Sequence, residues 1–125
     1  MPSLLELAGD APEKAFAPGE VIIAEGEPLD VLYILKEGEV EIRRDMMSIG
    51  KIAKPGAALG EIAALLGTAP AATVVAITPC TFTVVRDAAA FVTGNHEATL
   101  EVARNLAMRL NWMTRTYVDQ IYDDI

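Results

Sequence analysis

The stretch ALGEIAALLGTAPAATVVAIT, from Ala58 to Thr78, has the layout of a site that seats an anion against backbone amides. Gly60-Glu61 opens what reads as a short turn of helix, Gly67 to Pro70 reads as a turn, and the run after Ala72 as a buried strand. Free amides and the dipole at a helix start favour negative charge, and a glycine lets the backbone approach a ligand. The usual counter-charge is missing, because no Lys or Arg falls between Lys54 and Arg86. Glu61 has two readings. It accepts a hydrogen bond from a ligand, or it is a first-turn acid that favours the helix by itself.

Other chemistry is sparse. The chain has one His and one Cys, so neither a catalytic triad nor a zinc site can be assembled. His96 reads as a solvated first-turn residue and Cys80 as a core thiol. Arg43, Arg44 and Arg86 read as solvated strand ends, and Met46-Met47 as core or turn packing. An enzyme is not expected, nor is a metal or a resident cofactor.

At 125 residues, with 52% hydrophobic and 22% charged residues, the chain is expected to form one globular domain over residues 1–125. A formal charge of −8 repels phosphate backbones and anionic membrane surfaces, so neither nucleic acid nor membrane is an expected partner. The N-terminus lacks the basic and apolar regions of a secretory signal, and no apolar run reaches the ~18 residues of a membrane span. A cytoplasmic location is expected.

The elements that must hold the Ala58–Thr78 stretch are mostly short strands. Ser3 to Ala8 predicts a short helix, with Ser3 as N-cap and Glu6 completing a capping box. VIIAEGEPLD predicts a strand and turn, and VLYILKEGEVEIRR a hairpin turning around Lys36 to Gly38. In its second arm Val40 and Ile42 alternate with Glu39, Glu41 and Arg43. MSIGKIAKPGAA, AATVVAIT and CTFTVVR predict three more strands. Asp87 then caps a short helix, Gly94-Asn95 breaks it, and a long helix runs from about Glu97 to about Tyr122. Leu100, Ala103, Leu106, Leu110, Met113, Tyr117 and Ile121 step by three and four along one stripe of it.

In this order the features resemble the cyclic-nucleotide-binding domain family, to which the catabolite activator protein and the regulatory subunit of cAMP-dependent protein kinase belong. FAPGEVIIAEGEPLDVLYILKEGEVEI is similar to the family's opening strands, with Gly26, Tyr33, Ile34 and Gly38 in matching places. LGEIAAL and AATVVA resemble the two ends of its phosphate-binding cassette, and HEATLEVARNLAMRL the helix after the barrel. The resemblance implies a mainly β fold with α: a jelly-roll β-barrel (double-stranded β-helix) over about 16–86, with a short N-terminal helix and, over about 87–125, C-terminal helices that include the long one. It implies candidate ligand-binding residues Gly60, Glu61, Ile62, Ala63, Ala71, Ala72 and Thr73. Glu61 stands where the family has a carboxylate for the ribose 2′-hydroxyl, and Thr73 where a Ser or Thr reaches phosphate or base.

The chain departs from the pattern at one position. Three residues before Thr73, where the family has a phosphate-binding Arg, stands Pro70, which offers neither charge nor N–H. Without that Arg, nothing nearby is expected to offset the charge of Glu61. The expected function is a non-enzymatic regulatory or sensor module in signal transduction, with a degenerate phosphate site and weak or no binding of cAMP or cGMP. The alternative is a working cyclic-nucleotide sensor that binds through backbone amides and Glu61. A homodimer is expected through Leu106, Leu110, Met113, Tyr117 and Ile121, as is a regulated protein partner.

Overall fold

The computed structural model describes residues 2–123, with side chains through residue 119. Helix α1 (Leu4–Ala8) has the anticipated capping box: Ser3 accepts from the Glu6 amide while Glu6 reaches back to the Ser3 amide. Eight strands follow: β1 (Glu13–Phe16), β2 (Val21–Ile23), β3 (Val31–Glu37), β4 (Val40–Arg44), β5 (Met47–Ile52), β6 (Ala58–Leu59), β7 (Thr73–Ala76) and β8 (Cys80–Arg86). Helix α2 (Glu61–Leu66) interrupts them, and α3 (Ala88–Gly94) and α4 (His96–Asp123) close the chain. The strands form two antiparallel sheets, ordered β1-β8-β3-β6 and β2-β7-β4-β5, which is a jelly roll with helices at both ends.

The expected hairpin around Lys36 to Gly38 does not form. β3 pairs with β8 and β6 in one sheet, whereas β4 pairs with β5 and β7 in the other. The reason is burial. Leu32, Tyr33, Ile34 and Leu35 are all buried, so β3 needs cover on both faces and takes a place inside its sheet. The chain then crosses between sheets at Gly38. Its φ is +108°, and a Cβ there would lie 2.5 Å from the Pro79 carbonyl oxygen, so a side chain cannot pass. The hairpin that does form joins β4 to β5 through Asp45 and Met46, both at positive φ, with Met46 fully exposed at its tip. β1 lies in the segment that reads as broken by Gly and Pro. It exists because it pairs with β8 and lays Phe16 into the core.

Two apolar cores result. Between the sheets, Phe16, Tyr33 and Phe82 meet edge to face, with centroids 5.6–6.0 Å apart, among Leu35, Val40, Leu59 and Val74. Beyond β3 and β8, Leu4, Leu32, Ile34, Val85, Val92 and Val102 join the helices to the barrel. Each fully buried aliphatic side chain here contributes roughly 1.5–3 kcal/mol.

Asp87 caps α3 as expected, accepting from the Ala90 amide, and Asn95 caps α4 by accepting from the Glu97 and Ala98 amides. The face that α4 turns to the barrel carries Ala98, Val102, Asn105, Leu106 and Arg109. Apart from Leu106, the stripe expected from the sequence is largely open: Leu110, Met113 and Tyr117 are 67%, 48% and 65% exposed, and Met113 borders a groove between α4 and β5. The side chain of Ile121 lies outside the described residues.

Candidate functional site

β6 is a two-residue edge strand, and its outer backbone groups would be open without cover. α4 supplies it. The Ala58 amide donates to Asn105 Oδ1 at 3.1 Å, and Arg109 donates through one terminal nitrogen to the Ala58 carbonyl at 2.6 Å. The Asn105 amide nitrogen donates in turn to the Glu101 carbonyl, which fixes its orientation. One turn further along, the Trp112 indole stands against β5, where a Cβ on Gly50 would lie 3.2 Å from the ring.

Past β6 the chain turns at Gly60, with φ +96°. A Cβ there would come within 2.9 Å of Leu29 and 3.0 Å of the Val31 carbonyl, so glycine is required for the approach. The next residue, Glu61, is only 1% exposed. Its Oε1 accepts from the other terminal nitrogen of Arg109 at 2.5 Å. Among the described residues its Oε2 has no hydrogen-bond partner. Burial pushes the Glu61 carboxyl above its ordinary value, and the charge of Arg109 pulls the other way. Glu61 is therefore offset, contrary to expectation, by a cation placed 48 residues along the chain. Asn105 and Arg109 are the residues that the sequence pattern missed. Their only signal was two polar residues four apart, in register with the buried Ala98 and Val102.

Around this pair lies a cleft of about 230 Å³, lined by Leu59, Gly60, Glu61, Ile62, Ala63, Leu66 and Thr68 to Ala72, with Ile23, Ile42, Val74 and Arg109. Gly60, Glu61, Ile62, Ala63, Ala71 and Ala72 are thus brought together. Ile62 is half exposed at the mouth and Ala63 is buried. Thr73 is not brought with them: it lines a hollow on the outer side of the β2-β7-β4-β5 sheet, and its hydroxyl accepts from the Glu25 amide at 3.1 Å. Pro70 is part of the cleft, and its carbonyl accepts from the Gly26 amide at 2.9 Å, pinning the turn. Among the described residues, the only charged ones lining the cleft are Glu61 and Arg109. A larger groove of about 340 Å³ lies on the other side of Arg109, between β5 and α4, with Ile49, Ile52, Met108 and Trp112 in its walls.

Among the described residues, no group of His, Cys, Asp and Glu has metal-binding geometry. None of the described helices is long and apolar enough to cross a membrane.

A jelly roll with a glycine-led cassette after β6 and a helix packed on it defines a class of small-ligand regulatory domains. The chain belongs to the cyclic nucleotide-binding domain family, whose model matches residues 13–92. It is 40% identical over 68 residues to the cAMP-dependent protein kinase regulatory subunit of Yarrowia lipolytica; the match takes in 54% of this chain and 18% of that protein. Among solved structures it is similar to one described as Sp-2Cl-cAMPS bound to PKAR CBD2, at 28% identity and TM-score 0.65, over 87% of this chain and 75% of that one. It is also similar to the regulatory subunit of a cAMP-independent protein kinase A from Trypanosoma brucei, at 25% identity and TM-score 0.71, over 90% of this chain and 41% of that one. The chain spans less than a fifth of the Yarrowia protein's length.

Proposed function

We propose that this chain is a non-enzymatic regulatory module whose cleft no longer holds a cyclic phosphate strongly. Pro70 carries the proposal: it lines the cleft at the position where the family resemblance calls for an Arg. Among the described residues the one cation of the cleft, Arg109, already holds Glu61 and the Ala58 carbonyl. A cyclic phosphate entering here would sit beside a paired carboxylate with no dedicated counter-charge, at a loss of roughly 3–5 kcal/mol against a site that has one. The likeness to a kinase subunit described as cAMP-independent supports a use of this fold without cAMP.

Regulation would run through α4. Arg109 and Asn105 bind the cassette directly, so a ligand that alters Glu61 or Ala58 acts on the helix that carries them. Trp112, the only tryptophan, sits one turn beyond and reports such movement. The unpartnered Oε2 of Glu61 supports a second reading, in which a cyclic nucleotide still binds weakly through Glu61 and the amides near Ala63, Ala71 and Ala72. Isothermal titration with cAMP and cGMP separates the two. Low-micromolar binding of either overturns the degenerate site, and millimolar binding that Glu61→Ala abolishes supports the second reading.

A further inference from the structure

We infer that the groove between β5 and α4 is a ligand site of its own, built for a fatty carboxylate: a flexible acyl chain laid along the apolar walls, with its acid group on Lys54. The inference stands apart from whatever the cleft beside Glu61 holds, because the two hollows lie on opposite sides of Arg109.

Shape is the first ground. The groove holds about 340 Å³, within the range of small-ligand pockets. Along α4 it reaches from Asn105 to Met113, roughly 12 Å of helix. Ile49 and Ile52 wall it from β5, and Met108, Trp112 and Met113 from α4. These three α4 side chains are each about half exposed, so apolar surface faces water there. Asn105, also in the lining, is already committed to the Ala58 amide and the Glu101 carbonyl, and so is not available to read a polar ligand body. Two methionines in one wall suit a flexible chain, since thioether side chains repack around irregular shapes.

Charge is the second ground. Lys51, Lys54 and Arg109 line the groove, and among the described residues no Asp or Glu does. In a chain with 18 acids and 10 bases that local excess of cations runs against the whole. Two of the three are engaged. Arg109 holds Glu61, and Lys51 stands directly across the β4–β5 ladder from Glu41. Lys54 is left: among the described residues its ammonium has no ion-pair partner, and it leans on Met108 Sδ at 4.0 Å. A thioether is a weak acceptor and leaves that charge unmet. One unmet ammonium at the edge of an apolar groove matches one carboxylate at the end of an apolar chain.

The test is a titration of the full chain with hexanoate, octanoate and decanoate, read by calorimetry and by fluorescence of Trp112, the only tryptophan and part of the wall. Affinity should rise roughly tenfold for each added pair of methylenes. Lys54→Gln should weaken decanoate about fivefold and leave 1-decanol unchanged, since only the acid uses the ammonium. Met108→Glu, at a half-exposed position, puts a carboxylate beside Lys54 and should weaken decanoate at least about tenfold. Affinity that does not rise with chain length, or no binding of any of the three acids, overturns the inference. Equal losses of decanoate and decanol in Lys54→Gln overturn the contact with Lys54. Decanoate binding that leaves Trp112 fluorescence unchanged, or that Met108→Glu does not weaken, puts the acid elsewhere and overturns the groove as its site.

Discussion

Arg109 of α4 holds Glu61 of the cassette at 2.5 Å, joining two residues 48 positions apart across the boundary between barrel and helix. The pair has a pH signature. Burial raises the Glu61 pKa above its ordinary 4.5, and Arg109 opposes the rise. A carboxyl raised in the fold imposes no penalty below its unfolded value and its full penalty once pH passes the folded one. Removing the cation lifts the folded pKa further and widens that window. Arg109→Met is therefore expected to lose ~3–5 kcal/mol at neutral pH. Near pH 4.5 it should lose only the hydrogen bond to Ala58, about 1 kcal/mol. Urea unfolding at the two pH values measures both. Equal destabilisation at both would mean that Arg109 acts by packing and not by charge.

Asn105 gives a pH-independent companion. Its side chain accepts from the Ala58 amide on an edge strand of only two residues. Asn105→Ala should cost ~1–3 kcal/mol, the penalty of a buried donor left without a partner. Hydrogen exchange at the Ala58 amide should accelerate well beyond the change at Leu35, which sits in the barrel core and donates to the Ala57 carbonyl. Uniform acceleration would place the defect in global stability instead of in the α4 contact.

The jelly roll was legible because alternation, turn residues and caps all agreed. Val40 and Ile42 alternate with charged residues in β4, Ser3 and Glu6 sit at box spacing, and Asp87 precedes a helix that it does cap. What misled the reading was proximity in sequence. β3 and β4 are adjacent in the chain, yet they part at Gly38 into different sheets. The continuous apolar run of β3, against the alternation of β4, was the available sign that one is covered on both faces and the other on one. The cassette was visible as a motif, but its counter-charge was not. Arg109 comes from a separate element, and no local pattern ties it to Glu61. The docking face of α4 was hidden for a related reason. It buries Asn105 and Arg109 for their hydrogen bonds, and an apolar count passes over them.

The phosphate site can be tested by restoring what it lacks. Pro70 lines the cleft and its carbonyl accepts from Gly26, so a side chain grafted there stays in the turn. Pro70→Arg is expected to strengthen cAMP or cGMP binding by up to ~3–5 kcal/mol. The gain falls short where the turn needs proline's fixed φ, and the domain then also loses stability. Pro70→Ala is the control, since it relaxes the turn without adding charge. Equal calorimetric affinities for the Arg and Ala variants would show that charge is not the missing element.

The exposed stripe of α4 bears on assembly. α4 has 28 residues, roughly 42 Å of helix, and its barrel-facing contacts lie in its first half and at Trp112. Beyond them Leu110, Met113 and Tyr117 stand 67%, 48% and 65% exposed on one side. An apolar helical face left in water is marginal, since most helical stability comes from packing that face. The same stripe on a second copy, related by a two-fold axis, would cover it. The expected outcome is a homodimer through Leu110, Met113 and Tyr117, whereas Leu106 packs on the protein's own core. Replacing Leu110 and Met113 together with Glu places like charges on both sides of that seam and should give monomers. Met113 shares the β5–α4 groove with Arg109 one turn away, so Leu110→Glu alone is the control that should keep the Glu61–Arg109 pair and its ligand affinity. Light scattering at micromolar concentration decides the matter: a monomeric wild type ends the dimer proposal, and a dimer that survives both substitutions moves the interface off α4.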